Sequence, residues 1–146
     1  MKFPKPQGVE ERNVLDSVFK EIREEWGFAK SFGPSRLLEK WERFVKDVEE
    51  GYSLSIYDYT HELSMRDLLE NVKERVPVRL RQEIEVALRP WDARFMQATQ
   101  PSDRPIEPVV DEDAKEWWYR LPKHAGWDVE RYLIEGGFRG RRNDAG

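Results

Sequence analysis

The stretch RLLEKWERFVKDVEEG, residues 36–51, decides the fold class. Leu37, Trp41, Phe44, Val45 and Val48 recur at i, i+4, i+7, i+8 and i+11, one apolar stripe at the period of an α-helix. Glu39–Arg43 and Glu42–Lys46 are i,i+4 pairs with the acid first, the favourable order on a solvated face. Pro34 and Ser35 supply a start and Gly51 a stop, because proline suits the first turn and glycine the left-handed residue past the last.

Working outward, the preceding segment VEERNVLDSVFKEIREEWG repeats the pattern. Val14, Leu15, Val18, Phe19, Ile22 and Trp26 form its stripe, acids crowd its first turn, and Gly27 ends it. A loop over 28–34 is short enough to pack the two helices antiparallel. A third helix is predicted from Ser64, with Asp67 as its capping partner and Met65, Leu68, Leu69, Val72 and Val76 on one face up to Pro77. A fourth carries Leu80, Ile84, Ala87, Leu88, Trp91 and Phe95. Pro90 removes one donor from it, yet the apolar phase does not slip, so one helix kinked near 86–90 is expected.

Between the second and third helices, Ser55 with Asp58 three residues on predicts a short extra helix over 55–62. The alternation of Tyr52, Leu54 and Ile56 hints at strand instead. Residues 100–113, QPSDRPIEPVVDED, read as a loop, and DVERYLIEG, 128–136, as a last helix. The expected architecture is all-α. It is a single-domain antiparallel bundle of four main helices over 1–136, with a short extra helix, a C-terminal aromatic segment and a disordered tail at 137–146.

A chain of 146 residues can bury roughly 68–70% of its unfolded surface and stand without staples. It has no cysteine, which removes disulfides, thiolate nucleophiles and cysteine-ligated zinc. With no apolar leader and no apolar run of membrane length, a soluble cytoplasmic location is the expectation. Lys and Arg number 25 and Asp and Glu 29, and no third of the chain is basic. Duplex nucleic acid is therefore a poor partner, and a protein or small molecule a better one. The arginines of FRGRRNDAG, 138–146, leave an RNA- or DNA-contacting tail as a minor reading.

Catalytic and metal motifs are weak. His61–Glu62 opens like the zinc-protease HExxH helix, but position 65 is Met. Asp58, His61 and His124 have the composition of a two-histidine, one-carboxylate site, with the histidines 63 residues apart. Nucleophile elbows and phosphate-binding loops are lacking, so neither a catalytic residue nor a metal or cofactor is assigned.

The densest candidate is WWYRLPKHAGW, residues 117–127. Three consecutive aromatics cannot all face one side of a helix, and Pro122 interrupts it. Some rings close a core and others face out. Trp, Tyr and Arg dominate interface hot spots, and the acidic loop beside them adds charge suited to a basic partner. The expected partner-binding residues are Trp117, Trp118, Tyr119, Arg120, His124 and Trp127, with Asp111 and Asp113. The expectation is a protein–protein interaction module, of the small, acidic, cysteine-free composition that immunity proteins and antitoxins share. The alternative is a small-molecule binder or enzyme with an interhelical pocket lined by Trp26, Trp41, Tyr57, Tyr59 and Trp91.

Overall fold

A computed structural model describes residues 2–102, 106 and 116–138. Its elements in order are α1 (Gly8–Trp26), α2 (Pro34–Glu50), α3 (Ile56–Arg75), α4 (Val78–Ala98), β1 (Thr99–Pro101), β2 (Arg120–Pro122) and α5 (Trp127–Glu135). The protein is predominantly α-helical, with four main helices, as the apolar stripes predict. The described helices include none long and apolar enough to cross a membrane.

The chain divides into two compact units, one of Met1–Arg43 with Met65–Ala93, the other of Phe44–Ser64 with Arg94–Gly146. In the first, Leu15, Val18, Phe19 and Ile22 of α1, Leu37, Leu38 and Trp41 of α2, Leu68, Leu69 and Val72 of α3, and Leu80, Ile84 and Leu88 of α4 are all buried. Gly27 ends α1 in the left-handed region, φ 69°, where a β-carbon is strained. Trp26 therefore sits past the buried stripe, half-exposed and stacked on Phe28 at 6.1 Å.

A closed polar network runs through this unit. Arg66, 3% exposed, donates from Nε and Nη2 to Asp92 (3.3 and 2.9 Å) and from Nη1 to Glu70 at 2.6 Å. Trp41 Nε1 also donates to Asp92, at 3.0 Å, and the Arg66 guanidinium lies 5.8 Å from the Trp41 ring centroid. Lys73 completes the network on Glu70 and Glu85, at 2.9 and 3.5 Å. Burial alone pushes the Glu70 carboxyl up, but hydrogen bonds from Arg66 and then Lys73 outweigh it and hold the group below its ordinary value.

Two sequence expectations change in detail. The short helix expected over 55–62 is the first part of α3, which runs without a break to Arg75. Its start is the reciprocal pair read from the sequence: Ser55 N–H donates to Asp58 and Asp58 N–H to Ser55 Oγ, at 3.2 and 3.1 Å. Ser64, expected as a second start, donates back to the His61 carbonyl in mid-helix. α4 is one helix through Pro90. Pro90 and Val86 are both exposed, so the carbonyl that proline leaves unpaired lies on the solvated side, where water can satisfy it.

In the second unit the buried apolar side chains include Phe44, Val45, Val48, Tyr52, Ile56, Tyr59, Leu63, Phe95, Ile106, Trp118, Leu121, Val129 and Leu133. Phe44 meets Tyr52, Tyr59 and Phe95 with ring centroids 5.3–5.9 Å apart. The antiparallel strands pair Thr99 with Pro122, Gln100 with Leu121 and Pro101 with Arg120. Each proline takes a strand end, where a missing N–H costs least.

Candidate functional site

Between β2 and α5, the segment 123–126 is held by backbone hydrogen bonds to other parts of the chain. After β2, Lys123 N–H donates to the Ala98 carbonyl at 3.0 Å, and the His124 carbonyl accepts from Tyr52 at 3.3 Å. Gly126 N–H then donates to the Tyr52 carbonyl at 2.6 Å, closing a parallel bridge between Tyr52 and Ala125. Glycine suits position 126: a β-carbon there would stand 3.0 Å from the Ser53 α-carbon and 3.2 Å from the Tyr52 carbonyl oxygen, so a side chain would push the two backbones apart by a few tenths of an ångström. Asp128, in the first turn of α5, accepts from the Ile56 N–H at 3.3 Å. The starts of α3 and α5 are thus tied together, and residues 53–57 run beside 126–128.

Three large apolar side chains flank that tie and are exposed: Leu54 at 53%, Tyr57 at 69% and Trp127 at 73%. The capping box explains the outward position of Tyr57. It starts α3 at Ile56, and Ile56, Tyr59, Thr60 and Leu63 then form the buried face, which leaves residue 57 opposite. The Trp127 ring carries the Arg131 guanidinium 5.3 Å from its centroid, and Arg131 in turn donates to Glu135 at 2.9 Å. Trp127, Arg131 and Glu135 therefore form one ridge at i+4 spacing along α5.

The residues expected to meet a partner divide between fold and surface. Trp118 is 2% exposed and packs edge-on to Trp117 at 5.6 Å. Its ring is interior and offers no face to a partner. Trp117 is 40% exposed, its ring edge also meeting Phe95 at 6.3 Å, and Tyr119 is half-buried. Arg120 donates to Thr99 Oγ1 and the Thr99 carbonyl (2.9 and 3.2 Å), while its own carbonyl accepts from the Tyr59 hydroxyl. That side chain serves the strand pair. His124 is exposed, and Trp127 is the most exposed ring of the group. Asp111 and Asp113 lie outside the described residues, as does the tail from 139.

The aromatics named for the alternative pocket differ in exposure, Trp91 being half-buried. Trp26 and Tyr57 are exposed, while Trp41 and Tyr59 are fully buried. An open cleft of about 250 Å³ is instead lined by Val48, Glu49, Arg94, Gln97, Ala98, Lys123 and His124, none of those five. Its size falls below the roughly 300 Å³ at which small-molecule sites begin, and Arg94 clasps its one acid, Glu49, through Nε at 2.9 Å and Nη2. Asp58 is committed to its cap, and among the described residues no group of three His, Cys, Asp or Glu is placed to hold a metal ion. No protein-family model, curated protein or solved structure matches the chain.

Sequence reasoning gave Tyr57 to an interhelical pocket and did not single out Leu54 as a surface residue, whereas both are exposed. The signal was present: once Ser55–Asp58 is taken as the start of a long helix, the phase of its buried face puts Tyr57 outside.

Proposed function

We propose that the chain is a protein-interaction module acting in the cytoplasm, and that its binding surface is centred on Trp127 with Tyr57 and Leu54 beside it. The observation that carries this reading is the exposure of Trp127. A tryptophan three-quarters exposed on a short helix gives up the burial that favours it elsewhere. Here the backbone beneath it is fixed by Gly126 and Asp128, so the ring is displayed from a firm base. Rigid aromatic anchors of this kind hold most of the energy in protein interfaces. Trp117 and His124 extend the same aromatic segment.

The test is retention of a host protein from native lysate by tagged wild-type chain and by Trp127→Ala with Tyr57→Ala. Both changes are on exposed side chains, so the variant folds. A protein retained stoichiometrically by wild type and lost by the variant, with a fall in affinity of about 2 kcal/mol or roughly thirtyfold, is the expected result. Equal retention by both removes this surface from consideration, and retention by neither overturns the protein partner.

A further inference from the structure

We infer that the partner presents a cationic segment, with an arginine side chain received by the Trp127 ring; this rests on the interaction reading above. The charge of the chain is not evenly spread. The unit of Phe44–Ser64 with Arg94–Gly146 holds 15 acidic and 10 basic residues, and the other unit 14 acidic and 15 basic. All of the net negative charge therefore belongs to the unit that carries Trp127. Close to the ring in sequence and along the α3 start stand four acids, Asp58, Asp128, Glu130 and Glu135, against two cations, Lys123 and Arg131.

The ring itself already binds a guanidinium. Arg131 lies over it at 5.3 Å, which takes one of its two faces, and Glu135 holds that arginine in place. An indole face attracts a cation through its quadrupole, and a planar guanidinium stacks better on it than an ammonium does. A phosphate-bearing partner meets the surrounding carboxylates as like charge, and a neutral apolar peptide gains nothing from their charge. An arginine-bearing segment satisfies both the ring and its rim. Arg131 is then a like charge beside the incoming one, so its removal tightens binding.

Two peptides of equal length test this on the full chain. One alternates arginine with glycine and serine; the other replaces each arginine with citrulline, which keeps shape and loses charge. The readout is the indole N–H signal of Trp127 in a nitrogen–proton correlation spectrum, assigned by its loss in Trp127→Phe. The arginine peptide shifts that signal saturably, more weakly as salt rises from about 25 to about 300 mM. The citrulline peptide leaves it in place. Arg131→Gln tightens the arginine peptide by roughly two- to fivefold, the range of an exposed cation–π contact. The inference is overturned by an unmoved Trp127 signal at about 1 mM arginine peptide, by equal shifts from both peptides, or by weaker binding in Arg131→Gln. A lysate protein lost on Trp127→Ala beside an inert arginine peptide overturns the cationic class and leaves the interaction reading standing. Arginine-peptide binding with no host protein retained upholds cation recognition and overturns the protein partner.

Discussion

Removing the carboxylate of Asp92 tests whether the buried charges of the four-helix unit act together. Asp92 accepts from Trp41 Nε1 and twice from Arg66, and Arg66 is 3% exposed, so neither donor has water as a ready substitute. Breaking a buried ion pair by deleting one member costs about 3–5 kcal/mol. Asp92 is itself 19% exposed and Arg66 keeps Glu70, which puts Asp92→Ala near the lower end, at about 3 kcal/mol. For a chain of this size that lowers Tm by roughly 6–12 °C. The informative comparison is a cycle of Arg66→Met, Asp92→Leu and the double variant that combines them. Once both charges are gone nothing charged is left unpaired, and apolar side chains of similar volume can fill the space. The double variant therefore recovers at least about 2 kcal/mol relative to the sum of the single costs. Urea unfolding followed by far-ultraviolet circular dichroism, with slopes compared for equality, supplies the free energies. An Asp92→Ala cost below about 1 kcal/mol, or strict additivity in the cycle, refutes the reasoning.

The same unfolding assay separates the tryptophans of the aromatic segment: Trp118→Ala loses about 3–5 kcal/mol. Trp127→Ala loses no more than about 1 kcal/mol, the Arg131 contact, and equal losses would place both rings in the core. Tyr52 is 1% exposed and its hydroxyl has no hydrogen-bond partner among the described residues, so Tyr52→Phe leaves stability unchanged or raises it by about 1 kcal/mol. A loss of that size would reveal an acceptor. On the acid side, Glu70 is held below 4.5 by Arg66 and Lys73 against the opposing effect of burial, and Glu49 by its hydrogen bonds from Arg94. A lowered folded-state value means the stabilisation is complete above pH 4.5 and is lost as pH falls through the lowered values. Glu70→Gln should flatten that limb in a pH series of unfolding midpoints, and an unchanged limb would remove Glu70 from the account.

The helices were legible because their information is local and repeated. In α2 the five stripe residues read from the sequence are all buried, and the same holds for the five of α3 from Met65 to Val76. One periodic signal sampled five times tolerates an error at any single position. Helix ends rest on one or two residues and were less secure. Ser55 with Asp58 and Ser64 with Asp67 offer the same local chemistry, yet only the first is a cap. What decides between them is that Leu63 and Met65 are both buried, so the chain stays helical across Ser64 whatever its hydroxyl could do elsewhere. The strands were invisible for a related reason. Three residues each, with a proline in both, carry no period, and their partner segments are some twenty positions apart.

The site was half legible, and the missing half follows from that sheet. Composition alone marks 117–127 as unusual, and it implies that consecutive aromatics must split between inside and outside. It does not say which ring goes where, because that depends on the register of β2 against β1 and on the bridge at Tyr52 and Ala125. Once Leu121 faces inward opposite Gln100 and a turn precedes the strand, Trp118 is inside and Trp117 at the edge. Once Gly126 lies against Ser53, α5 starts at Trp127 with Val129 and Leu133 as its buried pair. Position 127 then falls off that buried face, two residues before Val129. The exposure of Trp127 is thus set by the fit of a glycine against a backbone more than seventy positions earlier, which no window of sequence around 127 contains.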